Sequence, residues 1–143
     1  MTDQVNANGQ CLCGDVKIAV HGVPARMAQC YCKDCQRASG TGHVSNAIFN
    51  ESDVTINGET QCFTVTTDNG NAYSRHFCPT CGSRLFGLNT GRPGMVVVHV
   101  GILDDTSWFK PEVVLYTRTR PHWDLVTDDV PGFETAPPMT PLR

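Results

Sequence analysis

The chain has no cluster of lysine and arginine, no apolar run near the length of a bilayer and no sustained 3.6-residue hydrophobic period. Each absence removes a class. A nucleic-acid partner asks for a basic face, and here 11 Lys and Arg stand against 14 Asp and Glu, a net charge of −3. A membrane helix asks for roughly 20 consecutive apolar residues. The missing helical period points to a mostly β fold. With 17% charged and 40% hydrophobic residues, the 143-residue chain reads as one globular domain with a single modest core. Its start, Met1 to Gly9, has neither the basic nor the apolar region of a signal peptide. The expected location is the cytoplasm, where thiols stay reduced.

That compartment decides how the eight cysteines are read. In a secreted chain they would suggest a disulfide framework; in a reducing one their clustering favours metal. Seven fall in three short groups: Cys11 and Cys13; Cys30, Cys32 and Cys35; Cys78 and Cys81. In an extended strand, residues i and i+2 share a face, so both members of a Cys-x-Cys pair reach one ion. Two pairs complete a tetrahedral Zn²⁺ shell, the usual structural site, whereas three ligands and an open position mark the usual catalytic one. The expectation is two zinc ions per chain, one at Cys11, Cys13, Cys78 and Cys81, the other at Cys30, Cys32 and Cys35.

Along the chain, strands are expected at Val16–Val20, Val44–Phe49, Val54–Ile56 and Cys62–Thr67, with a turn at Asn57-Gly58 between the last two. A short helix is expected over Lys33–Ser39, stopped by Gly40 and Gly42. After the turn at Asp68–Asn71, Tyr73–Phe77 and Ser83–Leu88 form a hairpin whose tip, Cys78-Pro-Thr-Cys81-Gly82, holds metal. Met95–Leu103 reads as one continuous buried strand and Val113–Thr119 as another. Residues 1–8 read as a flexible N-terminus, and residues 134–143 as a Pro-rich tail containing Pro137, Pro138 and Pro141.

The charge of each site separates their chemistry. Three thiolates give a zinc site a formal charge of −1, so it generates hydroxide poorly and suits an incoming thiol held as a nucleophilic thiolate. The alternative is a second closed site, completed by Cys62 or a histidine. His43 follows the triplet closely enough to be a fourth ligand or an acid/base group, or simply a packed or surface histidine. His76 and His99 lie in strand patterns and read as core. Lys33, Arg37, Arg75 and Arg84 flank the cysteines and read as solvated surface charges rather than as a basic clamp for the carboxylates of a thiol ligand.

Gly9-Gln-Cys11-Leu-Cys13-Gly14-Asp-Val16, Cys30-Tyr-Cys32-Lys-Asp-Cys35-Gln-Arg-Ala-Ser-Gly40 and Phe77-Cys78-Pro-Thr-Cys81-Gly82-Ser together resemble the glutathione-dependent formaldehyde-activating (GFA) family. Gly101-Ile-Leu-Asp-Asp105 and Pro121-His-Trp123 are also similar to its pattern. The resemblance implies a mainly β domain over residues 9–133, with coiled antiparallel sheets, zinc-knuckle hairpins and little helix. It implies a structural zinc at Cys11, Cys13, Cys78 and Cys81 and a catalytic zinc at Cys30, Cys32 and Cys35. It further implies a carbon–sulfur lyase that joins glutathione and formaldehyde into S-hydroxymethylglutathione. The partners implied are a small thiol and a small carbonyl compound, without nucleic acid or membrane. The competing class is a non-catalytic, zinc-stabilised module that binds a thiol compound or a protein.

Overall fold

A computed structural model describes residues 3–125 and 129–136. The elements run β1 (Val5–Gln10), β2 (Lys17–Gly22), β3 (Arg26–Cys30), α1 (Lys33–Ser39), β4 (Val44–Asn50), β5 (Val54–Asn57), β6 (Gln61–Thr66), β7 (Ala72–Phe77), β8 (Arg84–Asn89), β9 (Met95–His99), β10 (Val113–Leu115) and β11 (Gly132–Phe133). The domain is mainly β, as expected, and no described helix is long and apolar enough to cross a membrane.

Two sheets form. The smaller has the order β1-β2-β5, the larger β11-β10-β3-β4-β9-β8-β7-β6. Pairing is antiparallel except at β10, which runs parallel to both β3 and β11. The larger sheet uses the two-residue period of its strands to serve two environments. Met27, Ala47, Phe49, Val96 and Val98 point into the main core, where they join Val5, Ile18 and Val20 of the smaller sheet. The alternate positions on the same three strands, among them Ala28, Cys30, Asn46, Val97 and His99, line a cavity. The Met95–His99 run is therefore apolar on both sides for two reasons.

Several expectations are corrected. Residues 5–8 are not loose: β1 alternates Val5, Ala7 and Gly9 inward with Asn6, Asn8 and Gln10 outward, and pairs along its length with β2. A side chain at Gly9 would strike the backbone of Ile102 and Leu103, so glycine permits the bridge from β1 to Leu103. That bridge accompanies the early end of β9, which stops at His99 and tightens into a 3-10 turn over Val100–Ile102. β10 likewise ends at Leu115, because Tyr116 adopts a left-handed conformation (φ 57°). Asn57-Gly58 does not close a hairpin. β5 pairs with β2, burying Ile56 against the main core, while β6 pairs with β7 at the far edge of the larger sheet. Pro137, Pro138 and Pro141, expected in the tail, lie outside the described residues.

Candidate metal centres and cavity

The two distant cysteine pairs converge. Cys11 Sγ lies 3.6 Å from Cys13 Sγ, which lies 3.8 Å from Cys78 Sγ. Cys81 supplies the fourth sulfur, and all four fall within 4.8 Å of one another. A tetrahedron with Zn–S bonds of about 2.3 Å places its sulfurs ~3.8 Å apart, whereas a disulfide needs about 2.05 Å. All eight cysteines are free. The donor set thus fits a closed zinc site.

The two turns that carry these sulfurs are built alike. In one, Gly14 N–H donates to the Cys11 carbonyl (3.1 Å); in the other, Gly82 N–H donates to the Cys78 carbonyl (2.8 Å). Both glycines need positive φ, 86° and 78°. The turns leave donors for sulfur: Val16 N–H reaches Cys11 Sγ at 3.2 Å, and Ser83 Oγ stands 3.2 Å from Cys81 Sγ. The Ser83 hydroxyl, with its backbone N–H, pulls the Cys81 pKa down to about 5. Ser83 Oγ also accepts from Leu12 N–H at 2.9 Å, tying one turn to the other.

Cys30 ends β3, while Cys32 caps α1 and Cys35 lies in its first turn. Cys32 Sγ accepts from Cys35 N–H at 3.2 Å, and Gly40 ends the helix with its N–H on the Gln36 carbonyl. Gln36 Nε2 donates to the carbonyls of Tyr31 and Thr119, both at 2.9 Å, which fastens the helix beside β3. The three sulfurs lie within 4.8 Å of one another, and no fourth Cys, His, Asp or Glu joins them among the described residues. Hydrogen bonds from the Cys30 and Cys35 thiols, with the Cys35 N–H and the Arg75 charge, push the Cys32 pKa down to about 3. Hydrogen bonding to Cys32 and Cys35, together with burial, pushes Cys30 the other way. Three thiols this close ionise together only when a cation joins them. A soft divalent ion such as Zn²⁺ fits that set, with one position left for a guest.

The triplet opens into a cavity of about 450 Å³. Its wall carries Arg26, Lys33, Arg75, Arg92 and Arg118 against Asp34 and Asp68, a cationic surplus in an anionic protein. Arg75, on β7, stacks 4.8 Å over the Tyr73 ring and aims Nη2 at Cys35 Sγ, 3.7 Å away. Burial raises the phenol pKa of both Tyr73 and Tyr116, so both remain neutral, and the Tyr116 hydroxyl donates a hydrogen bond to Asp68 Oδ2 at 2.6 Å.

Lys33 and Arg75, expected as solvated charges, therefore face the cavity; Arg37 and Arg84 do not line it. His99, expected as core, lines it too. His43 does not: Nδ1 lies 2.6 Å from Asp124 Oδ2 and the ring packs 5.0 Å from that of Tyr31. Gly42 makes room for this pair, since a side chain there would strike the Asp124 carboxylate. His43 thus pins residues near 124 to the start of β4 and stands outside the candidate site. Cys62 is exposed on the edge strand β6, opposite His76, and completes neither cluster. His76 stacks on Phe86 at 4.5 Å, a packing role. Arg92 and Arg118, on the approach to β9 and after β10, carry no sequence signal because each stands far from any cysteine motif, and Arg26, at the start of the strand that ends in Cys30, lies in a segment without a readable strand pattern.

The family model for the glutathione-dependent formaldehyde-activating enzyme matches residues 6–119. A Halomonas elongata protein, provisionally named a glutathione-dependent formaldehyde-activating enzyme, is 27% identical over 121 residues, covering 80% of this chain and 77% of the relative. The crystal structure of a Rhodobacter sphaeroides protein is similar with a TM-score of 0.55 and 25% identity, over 69% of this chain and 89% of that one.

Proposed function

This chain belongs to the glutathione-dependent formaldehyde-activating enzyme family, and from that premise we propose that it is a zinc-dependent carbon–sulfur lyase joining glutathione to formaldehyde. The observation that carries this reading is a three-sulfur cluster opening into a cationic cavity. Cys30, Cys32 and Cys35 would hold the catalytic zinc, and Cys11, Cys13, Cys78 and Cys81 the structural one. Bound at the triplet, zinc would supply a seat at which a guest thiol stays ionised and nucleophilic.

The chain's own residues supply the rest. Three cysteine thiolates make the seat electron-rich, and Arg75 offsets the surplus beside Cys35. Glutathione carries two carboxylates, and the basic wall provides guanidinium and ammonium partners for them. Fixing the thiol in a walled cavity removes part of the entropic barrier to meeting a carbonyl carbon. As the sulfur–carbon bond forms, the carbonyl π pair moves to oxygen, which takes up the proton the thiol gave up. Atoms and charge balance, with S-hydroxymethylglutathione as product.

Zinc analysis paired with an assay of glutathione-dependent formaldehyde consumption tests the reading. Turnover that disappears without glutathione is the expected result; two bound zinc ions without such turnover would rule the reaction out.

A further inference from the structure

The cavity wall holds a polar acceptor that has no donor among the described residues. Asn46 Oδ1 is buried and has no hydrogen-bond partner among the described residues. Strand register puts Asn46 opposite Ala28 on β3 and opposite His99 on β9, and all three line the cavity. An unpaired buried acceptor costs stability, and in the wall of a cavity a bound ligand is a source of the missing donor.

His99 beside it is a neutral ring: burial, then the Arg75 and Arg84 charges, push its pKa down to about 4. A neutral imidazole offers one N–H and one lone pair, and a carboxamide offers both functions as well. Guanidinium and ammonium groups only donate. The wall therefore separates two kinds of recognition, cations for carboxylates and the Asn46–His99 pair for a neutral group that both donates and accepts.

We propose that Asn46 and His99 form a subsite for an amide group of the thiol ligand, with the Asn46 carboxamide turning about its side-chain torsions so that Oδ1, closed to solvent in the free protein, accepts the amide N–H. The subsite rests on the reading of this cavity as a thiol site, and it makes the cavity selective for a peptidic thiol over a simple one. Spacing agrees. Cys30 pairs with Val44 and Ala28 with Asn46, so the subsite lies two residues along the strands from the triplet, about 7 Å. The amide nitrogen of a cysteinyl group is three bonds from its sulfur, and a hydrogen bond adds about 2.9 Å. A thiol seated at the triplet therefore brings its amide to Asn46.

Calorimetric titration of the zinc-loaded wild type and Asn46→Leu with glutathione, and with mercaptosuccinate as a dicarboxylate thiol lacking an amide, tests the proposal. Asn46→Leu is expected to weaken glutathione about tenfold and mercaptosuccinate by less than about twofold. Its unfolding temperature without thiol should be unchanged or higher, since an unpaired acceptor has been removed. If leucine prevents folding, Asn46→Ala answers the same question. Equal weakening of both thiols, unaltered glutathione affinity, or a lower unfolding temperature with no change in selectivity would overturn the subsite. Selective loss in a protein that consumes no formaldehyde would keep the subsite and defeat the reaction. Failure of the wild type to bind glutathione would overturn both.

Discussion

Arg75 Nη2 stands 3.7 Å from Cys35 Sγ, joining the hairpin that carries one metal-binding turn to the helix that carries part of the other cluster. The same guanidinium stacks on Tyr73, which fixes its plane at the cavity wall. Replacing it tests how far the cationic wall matters. Arg75→Ala should lower kcat/KM for glutathione by about 10- to 100-fold, the range for losing a charged hydrogen-bond partner. Arg75→Lys should recover only part, because a point charge does not reproduce the planar fork. Steady-state kinetics at constant zinc content would check both.

The two cysteine clusters should separate on mutation. Cys78→Ser removes a buried ligand from the site that ties β1 to the β7–β8 hairpin, so its unfolding temperature should fall steeply and zinc at that site should be lost. Cys35→Ser should keep the circular dichroism of the wild type, lose turnover and bind one zinc fewer. Equal destabilisation by both changes would mean two structural sites.

Chelation should proceed in two stages. The triplet offers three sulfurs and faces the cavity, whereas the other group offers four, so an ion there is held by one more bond. A competing chelator should first remove one ion together with activity, leaving the fold intact. Loss of the second ion should coincide with unfolding, read by metal release and far-ultraviolet circular dichroism on the same sample.

His99 gives a pH prediction with a defined sign. Its folded-state pKa, near 4, lies below the ordinary value of 6.5, so the unfolded chain binds more protons between those limits. His99 therefore stabilises the fold above about pH 6.5 and loses that contribution as pH falls toward 4. His99→Gln should flatten this part of the stability curve relative to wild type, measured by denaturant titration at matched zinc content.

His43→Ala should leave turnover within about threefold and cost about 1 kcal/mol of stability, the scale of one part-buried hydrogen bond. The His43–Asp124 contact fastens a surface segment and does not reach the cavity. A fall in kcat of a hundredfold with unchanged stability would return His43 to the chemistry.

Local features were readable wherever the governing contacts are local. Lys33–Ser39 forms a helix between the Cys32 cap and the left-handed Gly40, and Asp68–Asn71 turns the chain between β6 and β7. β3 offered little to read, since Arg26-Met-Ala-Gln-Cys30 contains no β-branched residue; it is a strand because β4 and β10 both bond to it. β1 did carry a signal, the alternation of Val5, Ala7 and Gly9 with amide side chains, but its small inward residues bury little apolar surface.

Cysteine spacing alone determined the ligand groups, because two sulfurs one or two residues apart are brought together by the backbone of a single turn or strand. Only the tertiary structure decided that the first and third groups meet, that the second finds no fourth ligand among the described residues, and that Asn46 and His99 line the opening. A strand fixes which residues share a face, but what covers each face is settled by distant chain: the smaller sheet covers one side of the larger and leaves the triplet's side to the cavity.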